Sequence, residues 1–117
     1  MLVGILFMKG MSMSKNEEVK VEYYENGNKK SETHYKDGER DGVSTWWYEE
    51  GTKLRETNWK DGEMNGVSTW WYEDGTKSSE SNWKDGKIVG VFTTWNEDGT
   101  KLSEEHFKDG KLVKKVA

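Results

Sequence analysis

The residues best suited to chemistry in this chain are two histidines, a recurrent set of acidic turns and seven tryptophans. A metal site or a catalytic dyad would need His34 and His106 in contact. They instead fill the same position in two copies of a repeated pattern, three copies apart. With two strands per copy and about 4.8 Å per strand, they stand roughly 29 Å apart and cannot share a ligand within one chain. Asn58 and Asn82 occupy that position in the intervening copies, so it reads as a polar strand position. Turns such as Glu73-Asp74-Gly75 and Lys60-Asp61-Gly62 lack the spaced carboxylates of a calcium loop, and turn chemistry accounts for each Asp and Gly. There is no Cys, hence no thiolate nucleophile, disulfide or cysteine metal site, and neither a Gly-rich phosphate loop opening a helix nor a Gly-x-Ser-x-Gly turn. No residue is therefore assigned to catalysis, to a cofactor or to a metal, and an enzyme is not expected.

The elements that position these residues follow from a 24-residue period. Gly27, Gly51, Gly75 and Gly99 form one series, and Gly38, Gly62, Gly86 and Gly110 another. Residues 43–66 and 67–90 are identical at 17 of 24 positions, and the outer copies, about 19–42 and 91–114, diverge as the ends of a repeat array do. Val43 to Tyr48 is rich in β-branched and aromatic residues, and Glu49-Glu50-Gly51-Thr52 can turn because Gly accepts positive φ. Lys53 to Trp59 reads as a returning strand, closed by Lys60-Asp61-Gly62-Glu63. Every connection is short, so neighbouring strands must be antiparallel. The predicted fold is all-β: a single-layer, twisted antiparallel meander of stacked hairpins with about nine strands.

The four copies can be compared with one another. Tyr23, Trp47, Trp71 and Trp95 keep an aromatic ring, as do Tyr35, Trp59, Trp83 and Phe107, and both columns read as structural ring ladders. Glu32, Glu56, Glu80 and Glu104 recur with Lys29, Lys53, Lys77 and Lys101, a solvated ladder of modest ion pairs. Trp46 and Trp70 differ, because Glu22 and Thr94 stand in their place in the outer copies. Adjacent strand residues face opposite ways, so Trp46 and Trp47 put aromatic rings on both faces of a layer that has little to cover them. The candidate partner-binding patch is Trp46, Tyr48, Trp70 and Tyr72, with Leu54, Arg55, Ser78 and Ser79 beside them. The competing readings are mutual stacking of these rings, or cover from the N-terminal segment.

The recurring Tyr/Trp-Tyr-Glu-x-Gly-x-Lys followed by Trp/Tyr-Lys-Asp-Gly resembles the MORN-repeat variant family of bacteria over residues 19–114. The resemblance implies a single-layer twisted sheet of stacked hairpins. It also implies kinship with YwqK-like proteins, some of which are antitoxin or immunity components of toxin modules. The family's motifs are structural and carry no catalytic residue across.

Residues 1–14 stand apart from the repeat domain at 15–117, since Leu2 to Met8 is an uncharged apolar run followed by Ser12, Met13 and Ser14. A truncated or altered export signal is the first reading, placing the protein in the periplasm or at the cell surface, with an extra strand or an end cover as alternatives. Without an export signal the protein is expected in the cytoplasm. Seven apolar residues cannot span a bilayer, which takes about 20. The chain carries 18 basic and 22 acidic residues, a net charge of −4. Nucleic acid and anionic lipid are thus disfavoured, and a basic or neutral partner is easier to accept. The expected function is a non-catalytic repeat module for protein–protein binding, with a toxin as one form of partner. Glycan binding and membrane association are the alternatives, and exposed terminal strands suggest edge-to-edge homodimers.

Overall fold

The structure, a computed structural model, describes residues 2–8 and 16–116. Residues 12–14, the expected cleavage region, lie outside the described residues. The chain runs as β1 (Leu2–Met8), β2 (Glu17–Tyr24), β3 (Lys29–Lys36), β4 (Glu39–Trp47), β5 (Lys53–Lys60), β6 (Glu63–Met64), β7 (Gly66–Trp71), β8 (Lys77–Lys84), β9 (Lys87–Trp95), β10 (Lys101–Lys108) and β11 (Lys111–Val116). All belong to one antiparallel sheet in which each strand lies beside its neighbours in sequence, and β6 and β7 are two halves of one strand interrupted at Asn65. Counted that way, the repeats supply the nine strands expected, and β1 adds a tenth by pairing with β2. The long dimension of 46 Å matches the nine spacings of about 4.8 Å that an open sheet of this size requires.

Two turn types alternate along the sheet, each with a chemical cause. In the Lys-Asp-Gly hairpins both central residues have positive φ, for example 49° at Asp61 and 83° at Gly62. That is the type I′ geometry whose twist matches paired strands, and Asp-Gly tolerates it best. In the other hairpins the Gly51 N–H donates to the Tyr48 carbonyl at 3.0 Å and the Tyr48 N–H donates to the Thr52 carbonyl at 2.8 Å. A register shift follows, in which Trp46 pairs with Arg55 but Trp47 pairs with Lys53, leaving Leu54 as the extra residue of a bulge. The same shift recurs at Glu22/Tyr23 and at Trp70/Trp71. It places Lys53 on the same face as Glu56, three residues on, where strict alternation would separate them, and the two meet at 2.8 Å.

The centre of the sheet is filled by hydroxyl side chains. Val21 is the one buried hydrophobic residue within residues 16–116, while Ser31, Thr33, Ser44, Thr45, Thr57, Ser68, Thr69 and Ser81 are all buried. Indole rings lean in over two of them. The Trp59 Nε1–H donates to Thr57 Oγ1 at 2.8 Å and the Trp83 Nε1–H to Ser81 Oγ at 2.8 Å. Neighbouring repeats are stitched by tyrosines: the hydroxyls of Tyr24, Tyr48 and Tyr72 donate at 2.6 Å to the carbonyls of Trp47, Trp71 and Trp95.

The aromatic columns are not the ring-on-ring ladders expected from the sequence. Each column comes from alternate strands, about 9.6 Å apart, too far for rings to stack. The intervening strand fills the gap with a cation: Lys29 Nζ lies 5.9 Å from the Trp47 ring centre and Lys53 Nζ 5.7 Å from that of Trp71. Among the described residues only Phe92 and Phe107 pair as rings, at 6.5 Å and 56°.

Candidate binding face

Strand register separates the two faces. On the back face Glu32, Thr45, Glu56, Thr69, Glu80, Thr93 and Glu104 form one row across seven strands. Each glutamate has a lysine three residues before it at 2.8–2.9 Å. His34 and His106 sit on this face and meet Glu32 and Glu104 through Nε2 at 3.1 and 2.8 Å. The hydrogen bond from Lys29, then that from His34, holds the Glu32 carboxyl below its usual range, and Lys101 and His106 do the same for Glu104. This face is neutralised by its own side chains.

The front face is built differently. Register puts Ser31, Trp46, Arg55, Trp70, Ser79, Thr94 and Ser103 in one row. At its centre the Arg55 guanidinium lies between two indoles, 5.1 Å from the Trp46 ring centre and 4.6 Å from that of Trp70. Arg40, on the neighbouring strand, lies 4.9 Å from the Trp59 ring centre. Burial, and then the charge of Arg40, lowers the Arg55 pKa. Beside this stack a depression of about 430 Å³ is lined by Arg55, Trp70, Trp83, Met64, Ile88 and Phe92, with Ser68, Ser79 and Ser81 supplying hydroxyls. Trp70 is 40% exposed, the largest exposed hydrophobic side chain of the described residues.

Of the residues singled out from the sequence, Trp46, Arg55, Trp70 and Ser79 come together on this face. The two tryptophans stack on Arg55 rather than on each other. Tyr48 and Tyr72 stand apart at the hairpin end, their hydroxyls given to the next repeat. Leu54 and Ser78 are half-buried at the bulges that precede the row. Arg40 escaped the sequence reading. Its signal was its column: Met64, Ile88 and Leu112 occupy the same position in the other copies, so a cation there is out of pattern. Among the described residues no group of three or more His, Asp or Glu is gathered to hold a metal ion, and no helix is long and apolar enough to cross a membrane.

Comparison with known proteins agrees with this geometry. The family described as MORN repeat variant matches residues 19–37, 40–61, 64–85 and 88–109. No curated protein matches the chain.

Proposed function

Because the chain belongs to the MORN repeat variant family, whose repeats are commonly binding modules, we propose that it is a non-catalytic protein-binding module that docks its partner on the front face. The observation that carries this reading is Trp70, a large ring left 40% exposed beside a depression lined by Trp83, Met64, Ile88 and Phe92. A stable protein interface needs about 800 Å² from each partner, concentrated on buried aromatic and arginine anchors. A sheet 46 Å long and 32 Å wide offers more than that area, and the front face holds both kinds of anchor. The position of Arg55 favours a protein over a neutral sugar, because sugar rings stack on open indole faces and the guanidinium already lies over those of Trp46 and Trp70.

The finer reading, an antitoxin- or immunity-type partner of a toxin, rests on the resemblance of the repeat motif alone. It is tested by co-expressing the chain with the product of the adjacent gene: rescue of growth and co-purification support it, and neither occurring sinks it. For the docking surface the test is Trp70→Ala. Losing an aromatic anchor should weaken partner binding by roughly 2 kcal/mol or more in calorimetry. Unchanged affinity with Trp70→Ala would move the interface off this face.

A further inference from the structure

The chain has 18 basic residues, and only Arg40 and Arg55 among them are arginines. Both stand on the front face, on adjacent strands, and both have their guanidinium over tryptophan rings. The lysines paired with glutamates across the back face show what this sheet does with a cation that has only a structural task. The two arginines are treated otherwise. Among the described residues neither has a carboxylate within ion-pairing distance, and the Nε of Arg55 is buried without a hydrogen-bond partner. A buried donor left unpaired is costly, as are two cations held near each other without a counter-ion.

We propose that Arg55 and Arg40 form a preorganised carboxylate-recognition site, and that the partner docked on the front face presents an acidic peptide segment to them. This rests on the protein-binding reading above and adds the chemistry of the partner. With Nε buried, it is the terminal edge of the Arg55 guanidinium that is left to meet an anion, and that planar fork matches a carboxylate with two parallel hydrogen bonds. The rings of Trp46 and Trp70 hold the Arg55 guanidinium between them, so little side-chain freedom is lost when the anion arrives. The depression beside it, lined by Met64, Ile88, Phe92 and Trp83, takes an apolar residue of the same segment. The net charge of −4 disfavours a polyanion such as nucleic acid, but screening over about 8 Å at physiological salt lets a local cation pair govern a single carboxylate in contact.

The test titrates the full chain with a peptide of alternating glutamate and leucine, and with its glutamine counterpart. The readouts are Trp fluorescence and the NMR signal of the Arg55 Nε–H. The acidic peptide should shift that signal and bind at least tenfold more tightly than the glutamine peptide. The preference should shrink about tenfold in Arg55→Gln or Arg40→Gln. Arg55→Lys, which keeps the charge and loses the fork, should recover only part of it, and circular dichroism identifies any variant that has lost its sheet. Equal binding of both peptides overturns the acidic preference while leaving the docking face intact. Binding of neither, together with a partner indifferent to Trp70→Ala, overturns both readings. A heparin tetrasaccharide that shifts the Arg55 signal where the peptide does not would reassign the site to an acidic glycan and overturn the proposal.

Discussion

Tyr48 shows how a single side chain can serve a neighbour's backbone. Its hydroxyl donates to the Trp71 carbonyl at 2.6 Å, tying one hairpin to the next. Tyr48→Phe removes the donor and leaves a carbonyl unpaired, which should cost about 1 kcal/mol and lower the thermal midpoint by several degrees. A melt superimposable on that of the parent would show the bond to be dispensable. Side-chain patterns that set Tyr48 and Tyr72 among the candidate patch residues carry no sign of a bond to a backbone carbonyl 23 residues away. The titrating groups predict a stability profile. Glu32, Glu104, Asp74 and Asp98 have lowered pKa values, the first two through Lys and His partners and the others through Thr76 and Thr100. Their contribution is present above the usual carboxylate range, about pH 4, and is lost as pH falls through the lowered values. Tyr24 and Tyr48 are raised by burial and then by nearby glutamates, so they hold their protons better folded than unfolded. That contribution is present below about pH 10 and disappears as pH climbs through the raised values. Urea midpoints measured from pH 2 to 11 should form a plateau that falls at both ends. Tyr48→Phe should blunt the alkaline fall, and an unaltered alkaline limb would count against this account.

At the scale of the element, the turns were the most legible part of the chain, because Asp-Gly at a fixed period leaves few alternatives to type I′ geometry. Gly62 sits at φ 83°, where an L side chain is strained, and a Cβ there would also meet the carboxylate end of Glu39. Gly62→Ala should therefore cost roughly 1–2 kcal/mol, whereas Gly62→Asn should be milder because Asn enters the left-handed region more readily. Chemical denaturation of the two variants side by side checks this, and equal losses would remove backbone strain as the cause. Strand positions and antiparallel order were legible for the same reason. The bulges were not: an extra residue at Leu54 or Ser78 leaves no mark in a repeat that carries it in every copy. Without the bulge the Lys and Glu columns cannot be placed on one face. The strand spacing was available from the sequence, and applied to the aromatic columns it rules out ring stacking and leaves room for the lysines.

For the whole molecule, the central question is whether the sheet is held together by neighbours alone. The tyrosine stitches, the strand ladders and the turn contacts such as the Gly62 N–H to the Arg40 carbonyl at 2.9 Å all join adjacent hairpins. The contacts of consequence run between strands next to each other in the sheet. A ribbon of this kind has a stability close to a sum over hairpins and their interfaces. Deleting residues 43–66 removes one period and joins Gly42 to Val67, which reproduces the Gly66–Val67 junction of the parent chain. The shortened protein should keep a β-type circular dichroism spectrum and melt at a lower temperature, having lost one hairpin and one interface. It also loses Trp46 and Arg55 while keeping Trp70 and Trp83. Binding through the carboxylate site should therefore vanish from a molecule that still folds. A deletion product that is unfolded would mean that coupling extends beyond the adjacent repeat, and the ribbon would have to be treated as one cooperative unit.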